Sequence, residues 1–164
     1  MTILGIDPGF QFAGFGIIKK EGTKAIVLDY GYLKMQPTKS LVERIGVFHD
    51  FFAEKIVTHG VTDLALETPF LGKNAQNFLK LGYLRGNLYL LANKHKLILH
   101  EFAPTQVKQS ITGSGGASKE QVARVIYQLF PTMKAAEKAD VTDALAVTLC
   151  GLWQHRYSSL LASR

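Results

Sequence analysis

Two turns that lie close together constrain the first forty residues more than any other feature of the chain. Pro8-Gly9 separates an apolar segment at residues 3–7 from a second at 13–19. Glu21-Gly22 then separates the second segment from a third at residues 25–34. Short apolar segments divided by glycine turns are typical of strands, and connections this short join antiparallel neighbours. The N-terminal part therefore predicts an antiparallel three-stranded meander.

The periodicity changes from strand to helix after residue 40. Ser40 and Glu43 form the S-x-x-E pattern of a capping box, which marks the start of a helix. Spacings of four and three then place one apolar stripe along this predicted helix, which ends near Gly60. The residues of the stripe are Leu41, Ile45, Phe48, Phe52 and Ile56.

The remaining sequence alternates between short apolar segments and longer amphipathic ones. It contains no internal repeat and no linker-like stretch, so we predict one domain over residues 1–164. The pattern indicates an α/β fold in which a five-stranded mixed sheet is flanked by helices. We predict strands at 63–67 and 97–102, and helices at 74–94, from 104, at 118–130 and from about 140 to near 157.

Composition excludes several classes of protein. The single cysteine of the 164 residues rules out an intramolecular disulfide framework and a CxxC metal site. The N-terminus has no basic lead and no cleavage site, and no apolar stretch approaches the roughly 20 residues of a membrane span. We therefore expect a soluble, cytoplasmic protein with no membrane partner.

Positive charge is concentrated in the middle of the chain. The formal net charge is +6, and Glu101 is the only acid between Thr68 and Lys119. Such a segment on an otherwise neutral chain is typical of polyanion binding, but it also fits a solvated helix face. Charge alone leaves the two interpretations open. The basic residues of this segment are Lys73, Lys80, Arg85, Lys94, Lys96, Lys108 and Lys119.

Four acids occupy positions that suit a metal site. Asp7 and Glu67 end two predicted strands, and Asp140 and Asp143 are three residues apart near the start of the last helix. Taken singly, an acid is more often structural than catalytic: Asp7 suits a turn and Asp140 a helix cap, whereas Glu67 gains nothing obvious at the end of a buried strand. Together they could meet at one edge of the sheet, where gathered carboxylates need cations. An all-oxygen set favours a hard cation such as Mg²⁺.

These acids lie in motifs that resemble the RuvC-type Holliday junction resolvases. The motifs are GIDPG at residues 5–9, the strand-end Glu67 and DVTDALA at 140–146. The similarity extends through KN at 73–74, LGYLRG at 81–86, PTQVKQ at 104–109 and SKEQV at 118–122. It covers residue 3 to about residue 150, which is nearly the whole chain.

The resemblance implies an RNase H-like fold and a homodimer that cuts four-way DNA junctions by two symmetric nicks. The products would carry 5′-phosphate ends that a ligase can rejoin. Asp7, Glu67, Asp140 and Asp143 are implied as the catalytic, metal-binding set. We expect two Mg²⁺ ions per active site, with Mn²⁺ as a substitute. A RuvA–RuvB branch-migration complex is implied as a partner in recombination and repair.

The DNA contacts are predicted partly from motif positions and partly from charge. Lys108 and Lys119 match family lysines near the cut. Phe70 lies between Pro69 and Gly72 in a short loop after Glu67, where the family carries an aromatic implied to stack on an unpaired base. The full set of predicted DNA-binding residues is Phe70, Lys73, Asn74, Lys80, Arg85, Lys108 and Lys119.

Two other functions compete with the nuclease. A catalytically inactive module that binds junctions or duplex DNA would share the basic segment, although the complete acid set argues against it. An actin-like small-molecule kinase also opens with a strand, an Asp and a Gly turn. It needs a second domain of similar size, which 164 residues exclude.

Overall fold

The three-stranded meander forms the N-terminal half of a mixed sheet. The computed structural model describes residues 1–69 and 75–162, with side chains up to Gln154. The first strands are β1 (Thr2–Asp7), β2 (Phe12–Glu21) and β3 (Lys24–Lys34). Both pairings, β1 with β2 and β2 with β3, are antiparallel, as the two close turns predict.

The sheet is completed by two parallel strands that follow helices. β4 (Asp63–Glu67) pairs with β1, and β5 (Ile98–Phe102) pairs with β4, both in parallel. The order across the sheet is β3-β2-β1-β4-β5, so β1 is the central strand. The predicted five-stranded mixed sheet is therefore confirmed.

Helices cover both faces of this sheet. They are α1 (Leu41–His59), α2 (Ala75–His95), α3 (Pro104–Thr112), α4 (Lys119–Leu129) and α5 (Ala139–Ala162). Buried residues of α1 and α2 pack with one face of the sheet, and those of α3, α4 and α5 pack with the other. Among the described residues, no helix is both long and apolar enough to cross a membrane.

The helix ends follow the local signals. The Ser40 hydroxyl accepts the Glu43 N–H at 3.3 Å, which completes the predicted capping box of α1. Gly60 ends this helix in the left-handed region with φ of 57°, which a glycine adopts without a steric penalty. α5 continues to Ala162, beyond the predicted end near Tyr157, because neither glycine nor proline follows Gly151.

Candidate active site

Two of the four predicted acids end neighbouring parallel strands. The pairing of β1 with β4 ends at Ile6 and Leu66, so Asp7 and Glu67 follow at the same level of the sheet. Side chains alternate along a strand, and Ala65 packs in the buried cluster that contains α5. Asp7 and Glu67 therefore project from the sheet face that α5 covers, on strands roughly 4.8 Å apart.

Glycines in the sheet bring α5 onto the strand that carries Asp7. A Cβ atom at Gly14, which pairs with Asp7, would lie 2.0 Å from the carbonyl oxygen of Asp140. A Cβ atom at Gly5 would lie 2.1 Å from Oγ1 of Thr148. No side chain fits at either position without moving the helix. The close approach places the first turn of α5, with its acids, beside the end of β1.

The four carboxylates interact electrostatically. The pKa of Asp7 rises from 3.8 to about 7, first because the group is buried and then because Asp143, Asp140 and Glu67 are nearby. Lys119 acts in the opposite direction. Burial, followed by the charge of Asp143, also raises the pKa of Glu67. The structure thus brings all four predicted acids into one cluster, in which their mutual repulsion favours a bound cation.

Two lysines lie at the border of this cluster. Nζ of Lys119, the first residue of α4, donates a hydrogen bond to Oδ2 of Asp143 at 2.5 Å. This hydrogen bond is the main cause of the raised pKa of Lys119. Lys108 in α3 is close enough to Glu67 to act against the rise of the Glu67 pKa. Positive charge thus stands beside the acids at both motif positions.

Arg85 is placed differently from the DNA-facing position that the charge pattern suggested. Its side chain is only 7% exposed, and Nη2 pairs with Oε1 of Glu101 at 2.5 Å. Nη1 donates to the main-chain oxygen of Glu67. Both terminal nitrogens of the guanidinium are therefore engaged by groups of the protein itself. The structure thus places Arg85 in contacts within the fold, and its predicted contact with DNA stays a prediction.

The other predicted DNA contacts fall into two groups. Lys80 is exposed in α2, so its ammonium is accessible to a ligand. Phe70, Lys73 and Asn74 lie outside the described residues, so their predicted roles stay predictions.

Two features of the site were missed at the sequence level. The glycines at positions 5 and 14 carry a local signal, since a glycine inside a strand often marks the close approach of another backbone. The pairing of Arg85 with Glu101 has no comparable local signal, because the two residues belong to different elements and are 16 residues apart.

The chemistry of the cluster fits a divalent metal ion. Its four side chains supply only oxygen ligands, which hard cations such as Mg²⁺ prefer. Within residues 1–69 and 75–154, no three His, Cys, Asp or Glu side chains are drawn together as tightly as a metal shell requires. In this arrangement the ammonium of Lys119 neutralises part of the negative charge at Asp143.

Comparison with known proteins assigns the family. The family described as crossover junction endodeoxyribonuclease RuvC matches residues 3–151. A curated relative of that name from Pelodictyon phaeoclathratiforme is 43% identical over 152 residues, which cover 93% of this chain and 80% of the relative. Another from a Geobacter species is 40% identical and is matched over 98% of both chains.

A solved structure agrees with the fold. Thermus thermophilus RuvC in complex with Holliday junction substrate superposes with a TM-score of 0.89, at 28% identity over 96% of each chain. This match confirms the predicted RNase H-like fold. Together with the sequence matches, it means that the chain belongs to the RuvC family of crossover junction endodeoxyribonucleases.

Proposed function

We propose that this chain resolves four-way (Holliday) DNA junctions by paired symmetric nicks during recombination and repair, as a single-domain enzyme of the cytoplasm. The observation that carries the proposal is the gathering of Asp7, Glu67, Asp140 and Asp143 at one end of the sheet. The solved complex of T. thermophilus RuvC with Holliday junction substrate supports it by similarity.

We propose the same four acids as ligands of two Mg²⁺ ions, for which Mn²⁺ can substitute. Metal ions bound there would activate a water molecule and stabilise the departing 3′ oxygen, which leaves a 5′ phosphate. Asp7 would be the central ligand, because it ends the central strand and the charges of all three other acids raise its pKa.

The lysines of the site hold the DNA backbone in this proposal. Lys108 and Lys119 bind the phosphates next to the cut. Both border the acids, and a lysine ammonium donates charge-assisted hydrogen bonds to phosphate oxygens. Lys119 exchanges its ion pair with Asp143 for a phosphate when the substrate arrives. Its side chain is 68% exposed, so it can move without disturbing the core.

In this proposal, residues that precede both lysines in the chain hold the centre of the junction. We propose that Phe70 stacks on a base at the crossover, and that Lys73, Asn74 and Lys80 bind phosphates. Stacking on one base contributes about 1–3 kcal/mol, which helps to hold distorted DNA over the acids.

Paired nicks require two active sites related by a two-fold axis, so we propose a homodimer. The surface that supports it is an exposed apolar stripe on α2, formed by Leu79, Tyr83 and Leu90. The three side chains are 57%, 42% and 48% exposed and follow each other at helical spacing. A RuvA–RuvB branch-migration complex is the proposed further partner.

A nicking assay tests the function directly. A synthetic four-way junction and a linear duplex with the same arm sequence are incubated with the protein in Mg²⁺ or in EDTA. We expect symmetric nicks with ligatable 5′-phosphate ends on the junction in Mg²⁺ only. Junction binding without any nick in Mg²⁺ or Mn²⁺ would favour the inactive binding module instead.

A further inference from the structure

The guanidinium of Arg85 connects three elements directly behind the proposed active site. It is carried by α2 and is buried, which is rare for arginine unless the charge is paired. Nη1 donates to the main-chain oxygen of Glu67 at the end of β4. Nη2 donates to Oε1 of Glu101 in β5 at 2.5 Å and lies 3.1 Å from the hydroxyl of Tyr89.

The three polar side chains form a closed triad. The hydroxyl of Tyr89 donates to the same Oε1 atom of Glu101 at 2.7 Å, so the carboxylate receives two hydrogen bonds from α2. The planar guanidinium can reach the carbonyl and the carboxylate at once because its donors have a fixed fork geometry. The contact is therefore a brace between α2, β4 and β5.

The brace supports β4 at the end of the strand, where its pairing with β1 has stopped. The pairing of β1 with β4 ends at Ile6 and Leu66, one residue before Glu67. On the other side, β5 stays paired with β4 through Glu67 and Phe102, and the N–H of Thr68 donates to the carbonyl oxygen of Phe102 at 2.7 Å. The main-chain oxygen of Glu67 is thus held by a side chain at the end of the strand.

Arg85 and the Glu67 carboxylate lie on opposite faces of the sheet. Leu66 packs in the cluster that contains α2, while Ala65 packs in the cluster that contains α5. Alternation along the strand therefore directs the Glu67 side chain toward α5 and away from Arg85. Arg85 holds the backbone from behind and does not touch the carboxylate.

We propose that Arg85, anchored by Glu101, is a positioning residue that fixes the Glu67 carboxylate relative to Asp7. This inference rests on the proposed nuclease function. A misplacement of about 1 Å can cost roughly 100-fold in rate, so a rigid end of β4 matters for the reaction. In this proposal the guanidinium of Arg85 holds the protein backbone and a carboxylate, and it does not bind a phosphate.

The test compares Arg85→Lys and Glu101→Gln with Arg124→Lys, a matched change at an exposed arginine of α4. Arg85→Lys keeps the positive charge but loses the planar guanidinium, whose donors reach two acceptors at once. Glu101→Gln keeps the shape of the side chain but loses its negative charge. We expect single-turnover junction cleavage at saturating enzyme to fall about 10- to 100-fold in the first two variants only. Junction affinity and its salt dependence should stay at the parental values.

A second measurement does not depend on cleavage. The amide N–H of Thr68 should exchange with solvent at least about tenfold faster in Arg85→Lys and Glu101→Gln, because the end of β4 opens more often. If the parental protein cuts no junction, the proposed function fails, and this exchange rate still decides whether the brace holds β4.

Three results would overturn the positioning role. One is parental cleavage by both folded variants, and another is unchanged protection of Thr68. The third is weaker junction binding by Arg85→Lys with a shallower salt dependence, which would restore Arg85 as a phosphate contact. If Arg85→Lys fails to fold, Glu101→Gln still decides, because this side chain is 35% exposed and the change conserves its volume.

Discussion

Nζ of Lys119 lies 2.5 Å from Oδ2 of Asp143, although the two residues belong to different helices. The lysine is 68% exposed and the aspartate 18%, so the side chain reaches from the surface into the acid cluster. The capping box of Ser118 with Gln121 fixes where α4 begins and thus where Lys119 stands. A lysine here can neutralise either an acid of the site or a phosphate of the substrate.

Replacement of Lys119 by methionine should separate these two roles. We expect divalent metal ions to bind about two- to fivefold more tightly, because the competing cation at Asp143 is gone and an exposed ion pair is worth up to ~1 kcal/mol. Junction cleavage should become slower, because a phosphate contact is lost. Mn²⁺ titration and single-turnover cleavage measure the two effects. Lys134→Met, at an exposed lysine elsewhere, is the control, and unchanged metal affinity would contradict the competition.

Asp7→Asn should abolish cleavage and preserve binding. The substitution removes the central carboxylate of the cluster, so the metal ions lose a ligand, whereas the basic residues that hold phosphates are unchanged. We expect the cleavage rate to fall by at least about 100-fold while the junction dissociation constant stays within about threefold. Gel-shift and nicking assays on one junction check this, and parental nicking by the variant would refute the metal-site assignment.

The raised pKa of Asp7 predicts a pH-dependent stability of the metal-free protein. The folded-state pKa of about 7 exceeds the ordinary value of 3.8, so the folded protein binds more protons between these values. Stability should therefore fall as pH rises through this range, by on the order of 4 kcal/mol at most. Thermal unfolding in EDTA from about pH 5 to about pH 8 measures the slope.

Asp7→Asn provides the matched control for this slope. It removes the titrating group, so the dependence of Tm on pH should flatten, leaving the smaller trend of Glu67, whose pKa is raised in the same direction. Addition of Mg²⁺ should stabilise the parental protein most above about pH 7, where the acids are ionised. A variant whose Tm falls in parallel with the parental protein would show that Asp7 does not titrate in this range.

Phe70→Ala should fold normally and bind junctions, but cut them more slowly. Loss of one stacking contact of about 1–3 kcal/mol corresponds to roughly a 5- to 150-fold slower cut. A junction whose central bases are already unpaired should recover part of the rate, because less stacking energy is needed. A drop in Tm of several degrees with unchanged cleavage would instead identify Phe70 as a core residue.

The exposed stripe on α2 predicts a dimer that should dissociate when a charged side chain is introduced into the stripe. Leu90→Glu places a carboxylate at the stripe, so light scattering at micromolar concentration should change from about twice 18.1 kDa to the mass of one chain. Val42→Glu, at an 80% exposed valine of α1, should stay dimeric. A parental mass of one chain at all concentrations would exclude the homodimer.

Local signals determined the elements and the identity of the acids. The turns at Gly9 and Gly22, the Ser40 capping box and the apolar stripe of α1 fix where the chain folds, because each acts over a few residues. The sequence also predicted that Asp7 and Glu67 lie close together, because both end strands and parallel strands finish at one edge of a sheet. Motif similarity supplied the expectation of the fold family.

Only the tertiary structure decided which groups Lys119 and Arg85 contact. Lys119 and Arg85 belong to the same basic segment, yet one reaches the acid cluster and the other is buried against Glu101. The approach of α5 to β1 and β2 at Gly5 and Gly14 likewise depends on contacts between distant segments. Burial and pairing of a charge are set by neighbours from other elements, and a linear sequence does not specify those neighbours.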